Sequence, residues 1–330
     1  MFDNLDPRLK ILLGVAGSLS AKYVIGALMK QKRDDRFELV GHVDQLICYP
    51  VKSCPGISVQ EAYCSEFGLR VDWVTDRHYM ITRPNGRFLS QRQEPSMALI
   101  SVSITPKGVE LRAPDTRPLL LPKLTSKQGQ NVISVNIWEV ERDAVDCGEA
   151  AAQWVSSYLG TVGYRVVCYT HDLPKSYYMT FPKPWTTRAL ETDATGFADW
   201  ATYLVATSES INAVNKQLKG KPVTVRTFRP NILIAGTDPW EEDTWEEVII
   251  GADVRMRCLD ACARCTLTTV DPEKGERRAD GEPLKTLKRI RSIPPYNKYD
   301  ECVFGVNTAP DICGIVKVGD PVYAIKTTSL

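Results

Sequence analysis

From Leu39 onward the chain is written in short alternating or apolar runs, each cut by Gly, Pro or Asn within a few positions. That pattern restricts the fold most, because period-two alternation buries one face of a strand and suits no helix. "VGHVDQLICYPV" (40–51) alternates and breaks at "KSCPG", and "ISVQEAY" (57–63) follows. "WVTDRHYMI" and "RFLS" flank "TRPNG", whose Pro84-Asn85-Gly86 signals a hairpin turn. "MALISVSI" and "VELRA" bracket the turn "TPKG", and "VISVNIWEV" (132–140) closes this half. "YLVATS", "NILIAG", "DVRMRC", "TLTTVD" and "DPVYAI" supply strands to the second half. Few segments are helical. "DCGEAAAQWVSSYLG" (146–160) has an Asp near its start, Ala-rich helix formers and a Gly160 stop. Ser208 is the expected cap of "ESINAVNKQLKG", and "EPLKTLKRI" reads as a short helix. The class is α+β, mostly β, built of barrels or sandwiches rather than a parallel βαβ sheet. No internal repeat and no G-x-G-x-x-G interrupts that reading.

The first 36 residues follow other rules. Ile11 to Met29 form a 19-residue, mostly apolar run flanked by Arg8 and Lys10 before and Lys30, Lys32, Arg33 and Arg36 after. That is barely enough to span a bilayer, and Lys22 within it costs roughly 2.5–3.5 kcal/mol on insertion scales. A membrane-anchor helix is expected there, with a cleaved signal peptide, a transit peptide and an amphipathic surface helix as the rival readings. "KQKRDDR" then serves as a charged linker. The expected domains are 1–36, anchor and linker; 37–178, the β-rich first half; and 179–330, the second half. The Pro-rich segment 171–200 crosses between the last two. Across the chain, 43% hydrophobic and 25% charged residues describe an ordinary globular body. A net charge of +1 gives no electrostatic case for nucleic acid.

Chemistry points to the cysteines. Ten thiols in 330 residues do not make a dense disulfide framework, and three histidines leave little room for imidazole-led catalysis. "CLDACARC" (258–265) clusters three cysteines at C-x3-C-x2-C spacing. An iron–sulfur nest of this spacing belongs near the start of a long barrel, and only 65 residues follow Cys265. A structural zinc site needs a second knuckle, and none follows. A Cys262–Cys265 redox pair should open a helix, whereas "TLTTVD" looks strand-like. Three buried structural thiols form the plainest reading. Polar company around Cys265 (Arg264, then Thr266, Thr268, Thr269 and Asp271) suits one exposed thiolate acting as a metal ligand instead.

"YPVKSC" (49–54), "DRHYMI" (76–81), "TFRPNILIAG" (227–236), "CARCTLTTVDP" (262–272) and "VKVGDPVY" (316–323) occur in that order. Together they resemble the molybdenum-cofactor sulfurase C-terminal (MOSC) domain family over about residues 38 to 326, and in particular its amidoxime-reducing branch. The resemblance implies a β-barrel-type MOSC domain packed on a β-rich N-terminal domain of the same family. It makes Cys265 the thiolate ligand of molybdenum in a molybdopterin cofactor. It assigns Lys52, Ser53, Arg77 and Arg229 to the pterin phosphate, where charge-assisted donors are needed. Asn231 and Asn307 are carried over as pterin contacts, and Arg264 as the cation that keeps the Cys265 thiolate charged. Asp199 and Ala263 complete the cofactor positions, with two departures. Trp200 follows Asp199 where small residues are usual, and is expected to narrow the substrate mouth. Ala263 stands where relatives can carry Ser.

The resemblance further implies reduction of N-hydroxylated compounds, such as amidoximes and hydroxylamines. Electrons would come from a b5-type cytochrome and its NADH-dependent flavoprotein, because this chain carries no haem or flavin motif. A mitochondrial outer membrane, with the body facing the cytosol, is the expected location. Two rivals stand beside this: a cofactor carrier or sulfur-transfer MOSC protein, for which no pyridoxal-binding domain is present, and a non-catalytic membrane-tethered binding module.

Overall fold

Seven strands close into a barrel: β1 (Glu38–Cys48), β2 (Tyr203–Thr207), β3 (Ile232–Ala235), β4 (Trp245–Ile250), β5 (Val254–Ala263), β6 (Val303–Ile312) and β7 (Pro321–Lys326). Around the barrel the order is β3, β2, β6, β5, β4, β7 and β1, and β1 then pairs back on β3. In this computed structural model the described residues are 35–177 and 188–327. The expected anchor over Ile11–Met29 lies outside them. Among the described residues no helix is long and apolar enough to cross a membrane.

Closure suits these sequences. β2 is buried at all five positions and β3 at its first three, as continuous apolar runs require when both faces are covered. Val43, Leu46, Val205, Ile232, Val248 and Met256 meet in one core cluster. Closure needs a close approach at Gly41, where a Cβ would stand 2.3 Å from the Ala235 carbonyl oxygen.

β1 begins the chain's β-rich first half, yet its hydrogen bonds place it in the barrel built by the second. A later strand, Gly314–Lys317, reaches back to pair with Glu61–Ser65. The halves are therefore interleaved, and Leu39 onward is one compact unit. The first half adds a four-stranded sheet (Val132–Ile137, Val140–Asp146, Arg165–Cys168 and Tyr79–Thr82) and a three-stranded one (Ser101–Thr105, Gly108–Arg112 and Leu119–Pro122). Helix α1 (Glu149–Leu159) packs Ala151, Ala152 and Val155 inward and ends at Gly160 with φ 69°.

Four departures of local structure from expectation stand out. β2 and β3 run parallel, joined by a crossover through helices α2 (Ser208–Gln217) and α3 (Val225–Phe228), so one βαβ unit sits inside the barrel. Thr207, not Ser208, caps α2, its hydroxyl accepting from the Ser210 amide. The start of "MALISVSI" is a 3-10 turn at Pro95–Leu99, with the strand beginning at Ser101. Thr266–Thr269, expected as strand, is also a 3-10 turn, and Cys265 stands at its N-cap. There the Thr268 amide and hydroxyl both donate to the Cys265 carbonyl, at 3.1 and 2.9 Å, so local bonding overrides β-propensity. A fourth helix, α4 (Leu284–Ile290), falls where the sequence puts it.

Candidate active site

A cavity of about 490 Å3 opens where the end of β5 meets the first half of the chain. β5 brings Asp260, Cys262 and Ala263 to its wall, and Arg264 and Cys265 follow directly. β6 contributes Asn307, which donates to Asp260 Oδ1 at 2.9 Å across the strand pair. The register of that pair shifts between Cys258 and Asp260 and again between Ala261 and Ala263. Bulges of this kind bend a strand and re-aim its side chains. The loop before β2 adds Asp199, Trp200 and Ala201, and the turn after α3 adds Arg229 and Asn231. Arg77, Arg92 and Trp138 complete the wall from the first half.

The three clustered cysteines have separate environments. Cys258 is 3% exposed in the barrel core, where burial pushes its thiol up to about 12. Cys262 is half-buried on the cavity wall, and burial raises its pKa against the opposing pull of Arg264. Cys265 is exposed at the cavity. Among the described residues no three His, Cys, Asp or Glu side chains gather with metal-holding geometry, so the spacing C-x3-C-x2-C does not fold into one nest.

Cation placement corrects one expectation. Arg264 does not reach Cys265: its Nη1 donates to Cys262 Sγ at 3.2 Å and its Nη2 to the Phe228 carbonyl at 2.7 Å. The guanidinium beside Cys265 is Arg92, whose Nη1 lies 3.6 Å from the sulfur. Sequence reasoning missed Arg92 because "SQRQEP" reads as an ordinary polar turn distant from the cysteines. Its stacking partner Trp138 (4.6 Å to the ring) was hidden inside an apparent strand that is a hairpin turn.

Eight of the ten expected residues line the cavity: Arg77, Asp199, Arg229, Asn231, Ala263, Arg264, Cys265 and Asn307. Lys52 and Ser53 do not. Lys52 is 4% exposed and donates to the Phe197 carbonyl and to Asp199 Oδ1, both at 2.8 Å, so it meets the cavity only through Asp199. Burial lowers the Lys52 pKa, and the Asp199 carboxylate opposes that shift. Asp199 Oδ1 also accepts from Trp138 Nε1 at 2.9 Å. Ser53 is buried behind the wall, its carbonyl accepting from Gln91 at 2.6 Å.

Arg77 and Arg229 both lie over the ring of Tyr49, at 4.9 and 4.3 Å from its centroid. Arg77 pairs with buried Asp76 and donates to Asn231 Oδ1 at 3.2 Å. Asn231 spends its amide on that bond, the Leu204 amide, the Ile47 carbonyl and Asp76. It orients the cation as well as lining the wall. Arg229 forms no ion pair among the described residues, and burial together with nearby Arg77 lowers its pKa. Arg77 (φ 49°), Trp138 (φ 56°) and Arg229 (φ 59°) all hold left-handed backbone. Such strain costs about 1 kcal/mol or more per residue and clusters where a site must be pre-organised.

None of the three histidines lines the cavity. His78 is buried between Trp73 and Tyr79, and desolvation drops its pKa to about 4. Asp199, Asp260 and Glu301 are the carboxyl groups on the wall.

Residues 40–162 match the MOSC N-terminal beta barrel domain, and residues 192–323 match the MOSC domain. The chain is 36% identical over 329 residues to mitochondrial amidoxime-reducing component 1 of Mus musculus, covering 95% of this chain and 92% of that protein. It is 36% identical over 322 residues to the Homo sapiens component 1, covering 95% and 93%. The Homo sapiens component 2 is 35% identical over 327 residues, covering 94% and 92%. With both domains matched and relatives aligned nearly end to end, the chain belongs to the MOSC-domain family, among the kin of the mitochondrial amidoxime-reducing components.

Proposed function

We propose that this chain is a molybdenum-cofactor oxidoreductase that reduces N-hydroxylated compounds, with Cys265 as the single protein ligand of the metal. The observation that carries it is an exposed thiol on the wall of a cavity of about 490 Å3, with the Arg92 guanidinium 3.6 Å from its sulfur. That volume lies within the range of cofactor and small-molecule sites.

The residues fit the group. A soft thiolate suits molybdenum. Arg229, without an ion pair among the described residues, is a half-buried cation suited to a phosphate. Arg264 Nε is a buried donor with no partner. When bound, the cofactor supplies two-electron chemistry that takes the oxygen from nitrogen. The substrate N–OH bond breaks with two electrons and two protons, leaving the amine or amidine and water. Arg92 holds the Cys265 sulfur, and Arg77 and Arg229, both beside Tyr49, would hold the pterin phosphate. Lys52 fixes Asp199, which fixes Trp138. Trp138 and Trp200 narrow the mouth, while Asp199, Asp260 and Glu301 offer proton positions on the wall.

Electrons come one at a time from a b5-type cytochrome and its NADH-dependent flavoprotein. The N-terminal segment tethers the body to the mitochondrial outer membrane, facing the cytosol. The test is benzamidoxime reduction by residues 37 onward. Turnover is expected only when a b-type cytochrome and its reductase are added, and efficient turnover with NADH alone contradicts the reading.

A further inference from the structure

Beside the cavity lies a second hollow of about 340 Å3, lined by Arg83, Arg87, Phe88, Arg92, Trp138 and Glu139 among others. Arg92 and Trp138 belong to both, so the two spaces share a wall. Three guanidinium groups here face one carboxylate. Glu139 answers only Arg87, at 3.3 Å, and both side chains are largely exposed, so that pair adds little. Arg83 forms no ion pair among the described residues. Arg92 spends its charge on the Cys265 sulfur and on the rings of Trp138 and Phe88. Arg277 joins the same edge by donating to the Arg92 carbonyl.

We propose that this arginine groove is the docking face for the acidic protein that delivers electrons. The inference rests on the reading of the cavity as a redox site. A carrier seated on the groove is separated from Cys265 by the side chain of Arg92, which spans both spaces. Each docking passes one electron, so two dockings, each oxidising one carrier, supply one N–OH reduction. Small-ligand sites rely on buried, pre-organised donors. Charges as open as Arg87, 55% exposed, instead steer a large partner of opposite sign.

The experiment measures binding of an acidic b-type cytochrome to the cofactor-free chain, and benzamidoxime reduction by the loaded enzyme with that cytochrome or with reduced methyl viologen. Arg83→Glu with Arg87→Glu should weaken cytochrome binding about tenfold and leave the viologen-driven rate unchanged. Glu139→Lys should tighten binding, a gain that misfolding cannot imitate. Both effects should shrink as salt rises. Unchanged binding in the double variant overturns the groove, as does an equal loss of the viologen-driven rate. Charge-dependent binding without viologen-driven reduction in the wild type instead overturns the redox reading of the cavity, and the groove's purpose with it.

Discussion

Cys262 and Cys265 stand three positions apart and answer to different cations, Arg264 for the first and Arg92 for the second. Their substitutions should therefore separate. Cys265→Ser is expected to abolish amidoxime reduction with little change in melting temperature, because the side chain is exposed. Cys262→Ala should retain substantial activity, losing chiefly the bond that steadies Arg264. Cys258→Ser buries a hydroxyl in the barrel core and should cost about 1–3 kcal/mol of stability, read by thermal melting, while sparing the chemistry. A different titration belongs to Glu242. It is fully buried, accepts from the Thr207 and Ser210 hydroxyls, and is raised from 4.5 to about 7, burial being the main cause. A carboxyl whose folded pKa is raised binds more protons folded than unfolded between those values. Its contribution is fully present below about 4.5 and is lost as pH rises through about 7. Glu242→Gln should remove that component, so that its melting temperature falls less than the wild type's over this window. Equal slopes would contradict the assignment.

Barrel closure runs along the antiparallel β1–β3 pairing, from His42 with Ala235 to Leu46 with Ile232, and Gly41 stands at its tightest approach. Gly41 on β1 lies so near the Ala235 carbonyl on β3 that Gly41→Ala should cost about 1–3 kcal/mol, visible as a lower melting temperature with the same β-rich circular dichroism. Elements with strong local signals were legible in the sequence. α1 had its Ala run and Gly160, and β2 and β3 had continuous apolar runs between turns. The 3-10 turn at Thr266–Thr269 was not, because threonine favours strands in general and is held here by hydroxyl bonds back to Cys265 and Thr266 carbonyls. Nor was the parallel β2–β3 pair, since a continuous apolar run marks burial on both faces but does not give the direction of its neighbour. Six of the eight cavity residues were legible through ordered motifs, and Asp199 and Asn307, which lie outside those motifs, only through the wider resemblance. Arg92 and Trp138 were not, because long-range approach to the cysteines leaves no mark on local sequence.

At the scale of the molecule, the two halves share strands, with β1 in the barrel and Gly314–Lys317 on the first half. Neither half should fold alone: a chain cut at 179 loses β2 through β7, and one started there loses β1. The proposed tether is the part expected to be separable. Deleting residues 1–30 should release the protein from membranes with activity intact, and a truncated chain that stays membrane-bound would refute the tether. The most direct test of the single-thiolate site is the molybdenum content of purified Cys258→Ser, Cys262→Ala and Cys265→Ser proteins beside the wild type. Stoichiometric metal is expected in the wild type, with metal largely retained in the first two variants and a marked loss confined to Cys265→Ser. Equal loss in all three would contradict the single-thiolate site.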